Sequence, residues 1–313
     1  MKLCLVYNPK DSKLVPGAYC SVFKDMVYAL IKRFNCKCFI TSNCSASDID
    51  ADLIFFFDPH SSHHIEIEGV DKHPALKFEY WNDMHQRESK GVYQSTGIEV
   101  HKLGAEQRAR RAEKRGVYYI ISPVKYAFFE HFEKYFGNMT EKMLFYFPHA
   151  PTLNQHGLAP IDKRKTAVLG NGATWGGYNN GYDFRQWAFN QSYIEFVKHS
   201  INDKSVLTGS EYGSFLAGYA GALALCTVFP VPKYIEMPNA GCLTFAEYHK
   251  EYEELGFEDY KTCIYVNETN LKERVQDFLE CQNNEQYKEI AEKGQMLDIR
   301  HWAFQYTLEP EIP

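Results

Sequence analysis

VLGNGATWGGYNNGYDFR, Val168 to Arg185, reads as a strand that runs into a glycine-rich loop and out into a helix. The strand is TAVLGN, Thr166 to Asn171, with its apolar part ending at Leu169. Gly170, Gly172, Gly176, Gly177 and Gly181 follow, and a helix is expected from Phe184. Glycine lets backbone N–H groups come close to a phosphate, and the start of the next helix favours an anion. Arg185 adds a guanidinium able to grip a diphosphate with two parallel bonds. No Gly-Lys-Ser/Thr closes the loop and its spacing is not G-x-G-x-x-G, so it is neither a Walker A loop nor a dinucleotide fingerprint. The plainer alternative is a surface loop.

The same strand–helix alternation extends in both directions. Upstream, strands are predicted at Lys2–Asn8, Cys36–Ser42, Ala51–Asp58, Leu76–Trp81, Val117–Ser122 and Met143–Pro151. Helices are expected through Val22, Met26, Leu30 and Ile31, then over Leu103–Lys114 and Lys125–Phe136. Downstream, a helix is expected over Phe184–His199, a strand near Ser205–Leu207 and a helix or turn near Ser214–Tyr219. Strands Ala222–Val228, Cys242–Phe245 and Cys263–Val266 alternate with a helix from Lys233. Helices Leu271–Cys281 and Glu285–Leu297 follow, the first with Leu271, Val275, Phe278 and Leu279 on one face and Asn270 and Glu273 spaced as a capping box. Such alternation means parallel sheets with helices on both faces. The polar stretch Thr152–Lys165 is the linker candidate, dividing the chain into 1–155 and 156–313. The expected fold is α/β: two facing Rossmann-like domains with a cleft between them, and the last helix packing back on the first domain. Ligands then belong in the loops after the strands.

Composition bounds the function. The chain has 313 residues, 45% of them apolar, enough for two cores. With 34 Lys and Arg against 40 Asp and Glu, the net charge of −6 speaks against nonspecific coating of a duplex. Nine cysteines without a CxxC pair read as reduced thiols, which fits a cytoplasmic protein. The start MKLCLVYNPK turns polar too soon for a signal peptide, and no run of about 18 apolar residues spans a membrane. The 22 Tyr and 22 Phe read first as core filler.

VPKYIEMPNAGCLTF, Val231 to Phe245, is the second informative stretch. Glu236 falls one turn into a helix, where a carboxylate can accept two hydrogen bonds from a ribose diol or simply favour the helix dipole. This segment, with CIYVNETNLKERVQDFL and EIAEKGQMLDIRHWAFQYTLE, resembles the C-terminal domain of CgeB-type (spore-maturation-like) group 1 glycosyltransferases of the GT-B fold. The matching positions are Lys233, Glu236, Pro238, Gly241, Ala291, Gly294, His301 and Trp302, with Tyr182 and Arg185 matching a Tyr-x-x-Arg in the first loop. The likeness covers Thr166 to Thr307; the first half matches only in architecture.

The resemblance implies a nucleotide-sugar donor, a UDP-sugar first, bound by Gly170, Gly172, Tyr182, Arg185, Lys233, Glu236 and Gly241. It implies no cofactor and no metal, the leaving diphosphate being met by helix dipoles and basic side chains. The Asp48–Asp50 pair is expected to cap or to be solvated. Retaining relatives often carry a second Glu seven residues before the ribose Glu; here Val228 stands there, which leaves inversion or retention open.

The first half would hold the acceptor and supply a general base. Asp58 and His60 follow one buried strand, with His63 and His64 behind; Asp83 and His85 follow the next. In HKLGAEQRARRAEKRG, His101 to Gly116, six Lys and Arg face two Glu. This is either a solvated helix or, through Arg108 and Arg111, an electropositive wall for a phosphorylated or nucleic-acid acceptor, such as a flipped base. The rivals to a transferase are a nucleotide-sugar epimerase or hydrolase, and a binding module without catalysis.

Overall fold

The computed structural model describes residues 1–8, 30–57, 65–81, 84, 104–149, 160–174, 181–198, 207, 209–281 and 284–297. It divides into two compact units, Met1–Pro148 and His149–Pro313, ahead of the expected boundary at 155.

In the first unit the strands are β1 (Leu3–Tyr7), β2 (Cys38–Ile40), β3 (Cys44–Ser45), β4 (Leu53–Phe57), β5 (Ile67–Glu68), β6 (Leu76–Tyr80), β7 (Tyr119–Ser122) and β8 (Leu144–Tyr146). Six of them form one parallel sheet in the order β2–β1–β4–β6–β7–β8. The pair β3–β5 is a separate two-stranded piece too short to show in the sequence pattern. The LIFFF of β4 has four buried residues in a row because both of its faces are covered, as in other parallel sheets. The Asp48 carboxylate accepts from Ser45 N–H in a capping box, and Asp50 pairs with Lys2 on the surface, as expected of that pair.

The helix Ala105–Arg115 corrects an expectation. Its buried face carries Ala105, Ala109 and Ala112 together with Arg108, Arg111 and Arg115. Two of the arginines reach Glu79, which is fully buried in β6: Arg111 donates to Oε1, and Arg115 lies 3.4 Å from Oε2. Arg115 also donates to Ile65 O at 3.1 Å and covers the Phe56 ring at 4.4 Å. The exposed Arg110 and Lys114 pair with Glu106 and Glu66. Arg108 and Arg111 are therefore interior residues, and the helix is neither solvated all round nor an electropositive wall. Gly116, at φ 64, ends it by donating back to Ala112 and Glu113.

In the second unit β9 (Lys165–Asn171), β10 (Glu195–Val197), β11 (Tyr219–Ala224), β12 (Leu243–Ala246) and β13 (Ile264–Tyr265) form a parallel sheet in the order β10–β9–β11–β12–β13. Successive residues of β9 serve opposite faces: Val168 packs with Phe184, Phe245, Val275 and Phe278, and Leu169 with Leu216, Met237 and Cys242. β11 is built of small residues because it is covered on both sides. A Cβ on Gly221 would stand 3.0 Å from the Phe278 ring and 3.1 Å from Val168. The helix expected to run to His199 stops at Phe189, and Glu195–Val197 is the edge strand instead. Leu271, Val275 and Phe278 are buried as the helical spacing predicts. The capping box is not formed: the Asn270 side chain accepts from Asn267 N–H at 2.8 Å rather than from its own helix.

Candidate functional site

The order β10–β9–β11–β12–β13 places β9 and β11 on either side of a topological switch point. Crossovers run in opposite directions there, an arrangement that in open α/β sheets forms a crevice outside the two carboxyl ends. Asn171 ends β9 at this crevice, and the turn Leu225–Val228 follows β11.

Lys233, at the start of the helix Lys233–Asn239, is held at the end of β9. Its Nζ donates to Asn171 Oδ1 at 3.1 Å and to the Tyr212 hydroxyl at 2.7 Å. Tyr212, on the helix Gly209–Ala217, donates in turn to Asn171 Oδ1 at 3.2 Å. The amide orientation of Asn171 is set by Nδ2, which donates to Val197 O at 3.0 Å. Gly172 serves the lysine: at φ +127 it lies where L side chains rarely go, and a Cβ would stand 2.7 Å from Lys233 Cε. The result is a half-buried ammonium fixed by side chains from two other elements. Tyr212 belongs to no sequence motif and gives no local signal of this role.

Glu236 sits one turn beyond Lys233. Burial raises its carboxyl above the usual range, and the Lys233 charge acts against this. Among the described residues its carboxyl has no hydrogen-bond partner. Pro238 lacks the N–H that would reach Tyr234 O one turn back, and the Tyr252 hydroxyl takes that place at 2.8 Å.

Arg185 does something other than expected. It is 3% exposed; Nε donates to Leu225 O at 2.6 Å and Nη1 to Ala173 O at 3.1 Å. Its guanidinium lies on the Tyr182 ring at 3.8 Å. It straps the loop after β9 to the end of β11, and the fork needed for a bidentate diphosphate grip is already occupied. Among the described residues only Nη2 is left without a partner.

The glycines also separate. Gly170 lies inside β9, where a Cβ would stand 2.8 Å from Phe189 and 2.9 Å from Ile194, so its role is packing. Gly241, at φ +73, ends the Lys233 helix, donating to Pro238 O at 2.8 Å, while Cys242 donates to Met237 O at 3.1 Å. A Cβ there would meet Arg164 at 2.5 Å. A seven-residue helix, about 10 Å long, separates it from the crevice. Gly294 admits Thr262 O, which a Cβ would approach to 2.3 Å.

Three further side chains hold the turn after β11. His249 Nε2 donates to Cys226 O at 2.6 Å, and burial pushes this histidine down to about 4, so it is neutral. The Tyr234 hydroxyl accepts from Cys226 N–H at 3.2 Å. Thr227 Oγ1 donates to Glu247 Oε1 at 2.9 Å.

Asp58, His60, His63, His64, Asp83, His85, Gly176, Gly177, His301 and Trp302 lie outside the described residues. Among the described residues no three His, Cys, Asp or Glu side chains gather as metal ligands, and no helix is long and apolar enough to cross a membrane.

No protein-family model and no curated protein matches the chain. Solved structures match it in fold. Anabaena Alr3699/HepE in complex with UDP and glucose superposes with a TM-score of 0.56 at 10% identity, over 97% of this chain and 98% of that one. The same protein with UDP-glucose gives 0.55 at 11% identity, over 98% of each. A point mutant of S. aureus TarM, in complex with Fondaparinux, alpha-GlcNAc-glycerol and UDP, gives 0.49 at 11% identity over 81% of this chain, which spans 54% of TarM. The HepE likeness shows the fold: two Rossmann-like units with parallel sheets, the GT-B arrangement of strands and helices.

Proposed function

We propose that the chain is a glycosyltransferase that takes a sugar from a nucleoside diphosphate, a UDP-sugar first, and moves it to an acceptor hydroxyl. The observation that carries this is the Lys233 ammonium, fixed by Asn171 and Tyr212 at the switch-point crevice, with the Glu236 carboxyl one turn away and unpartnered among the described residues. As the glycosidic bond breaks, negative charge gathers on the departing diphosphate. An ammonium already in position stabilises that charge without reorganising. Glu236 accepts hydrogen bonds from the ribose diol. Lys233 and the backbone beside Gly172 face the diphosphate, without a metal ion. Arg185, strapped to two carbonyls, shapes this floor. The complexes of HepE with UDP support the nucleotide. The general base comes from the first unit, from Asp58, His60, Asp83 or His85. The acceptor is a hydroxyl of a glycan or small molecule; the burial of Arg108 and Arg111 removes the feature that spoke for nucleic acid. The Lys233-to-Gly241 segment supports the CgeB-type subgroup, and the free cysteines support a cytoplasmic location.

Melting temperature against UDP, GDP, TDP, ADP and CMP tests the reading. A ligand at a hundredfold its Kd adds about 2.7 kcal/mol. UDP is expected to raise the melting temperature, and Lys233→Ala and Glu236→Ala to abolish the rise. If no nucleotide shifts the native chain, the donor site is misassigned. Release of UDP from UDP-sugar separates an enzyme from a binding module.

A further inference from the structure

Glu247 directly follows β12, and its N–H donates to Ala224 O at the end of β11 at 3.1 Å. One carboxylate oxygen accepts from Thr227, the residue next to Val228. The other, Oε2, is buried and has no hydrogen-bond partner among the described residues. Arg185 is near enough for its charge to act on this carboxyl, although the two form no ion pair, and Arg185 Nη2 is also buried without a partner there. A buried carboxylate oxygen left unmet calls for a group that can donate to it. A hydroxyl does this. A phosphate offers no proton to the carboxylate and adds a second negative charge.

Glu247 also lines an open depression of about 410 Å³ at the carboxyl ends of β12 and β13. Tyr248 and Tyr265 stand there edge to face, with ring centres 5.2 Å apart. Asn267 and Asn270 use their amide oxygens to shape the turn, and among the described residues neither NH₂ group donates to a protein partner. Arg274 donates through Nη1 to Asp259 and Tyr265 O, and its guanidinium lies over the Tyr260 ring. Aromatic rings beside amide donors and a carboxylate match the apolar C–H faces and hydroxyls of a sugar ring. Neighbouring strands are about 4.8 Å apart, so β12 lies one strand from the β9–β11 crevice, within reach of the sugar on a diphosphate bound there.

We propose that this depression receives the sugar of the donor and that Glu247 sets its specificity by accepting hydrogen bonds from the sugar's hydroxyls. The inference rests on the reading of the crevice as a nucleoside diphosphate site. Calorimetric titration of the full chain with UDP, UDP-glucose, UDP-galactose and UDP-N-acetylglucosamine tests it, using the native protein, Glu247→Ala and the near-isosteric Glu247→Gln. In the native chain at least one sugar is expected to bind tenfold tighter or weaker than another. In both variants UDP itself is expected within about twofold of native affinity, with the spread among sugars collapsed. A spread kept by Glu247→Gln and Glu247→Ala overturns the proposal, as does a native chain that binds UDP but treats all the sugars alike. A native chain that does not bind UDP overturns the donor-site reading, and this inference with it. If Glu247→Ala does not fold, Glu247→Gln alone decides.

Discussion

Glu79→Gln removes one charge from the interior of the first unit and tests what the helix arginines are for. The Glu79 carboxylate is fully buried, bonded by Arg111 and 3.4 Å from Arg115. Breaking a buried ion pair by removing one partner costs about 3–5 kcal/mol, because the other charge stays buried and unpaired. Here two guanidinium groups lose their anion, so the upper end is expected. Arg111→Ala leaves Arg115 on the carboxylate and should cost about half as much. In a unit of this size each kcal/mol moves the melting temperature by about 2–4 °C, so Glu79→Gln lowers it by roughly 10–20 °C. The assay is urea unfolding followed by the fluorescence of Trp81, with Trp175, Trp187 and Trp302 changed to Phe so that only the first unit reports. The midpoint should fall with the slope unchanged. A Glu79→Gln protein within about 1 kcal/mol of native would refute the reasoning. Arg111→Ala with native stability but lost turnover would restore the helix as an acceptor wall.

Two further outcomes are expected. His249 is held near 4 when folded against about 6.5 when unfolded, so the unfolded chain binds more protons between these values. Its stability contribution is complete above pH 6.5 and is lost as pH falls toward 4, by about 3 kcal/mol. Urea midpoints at pH 7 and 4.5 should therefore fall less in His249→Gln than in the native chain; an equal fall would exclude this histidine as the source. Gly170→Ala and Gly172→Ala should part company, since the first meets Phe189 and Ile194 and the second Lys233. Gly170→Ala should cost about 1–3 kcal/mol of stability and leave UDP affinity alone, whereas Gly172→Ala should weaken UDP binding at least tenfold. The reverse pattern in titration would mean that the two glycines have been assigned the wrong way round.

The sheets were legible because parallel strands buried on both faces leave continuous apolar runs, as in LCLVY of β1 and LIFFF of β4. The edge strand Glu195–Val197 was missed because only one short stretch of it pairs, and Phe196 is exposed. Helix Ala105–Arg115 shows residue type to be a poor guide to exposure, because a buried carboxylate draws its arginines inward. Its partner Glu79 lies 32 positions upstream of Arg111, in a strand whose other residues are apolar or paired elsewhere. At the candidate site Lys233 and Glu236 stood out through the resemblance of their segment to a glycosyltransferase domain, their spacing alone being no more than that of a helix start. Tyr212 did not, since it reaches the end of β9 from another element and sits in no local pattern, and Glu247, beside the depression at β12 and β13, has no local signal either. Glycine content does not reveal a glycine's role: Gly170 answers to packing, Gly241 to helix termination and Gly172 to a lysine 61 positions away in sequence.

Every strand pair of the first sheet is complete once Tyr146 has been made, and none needs a residue from the second unit. During synthesis, at about 5–20 residues per second, the rest of the chain takes roughly 10–30 s to follow. The first unit thus has time to bury Glu79 and its arginines while the second is still being translated. The slow pairing of distant strands is confined to spans of one unit, and the inner strands of one half are paired before those of the other exist to mispair with them.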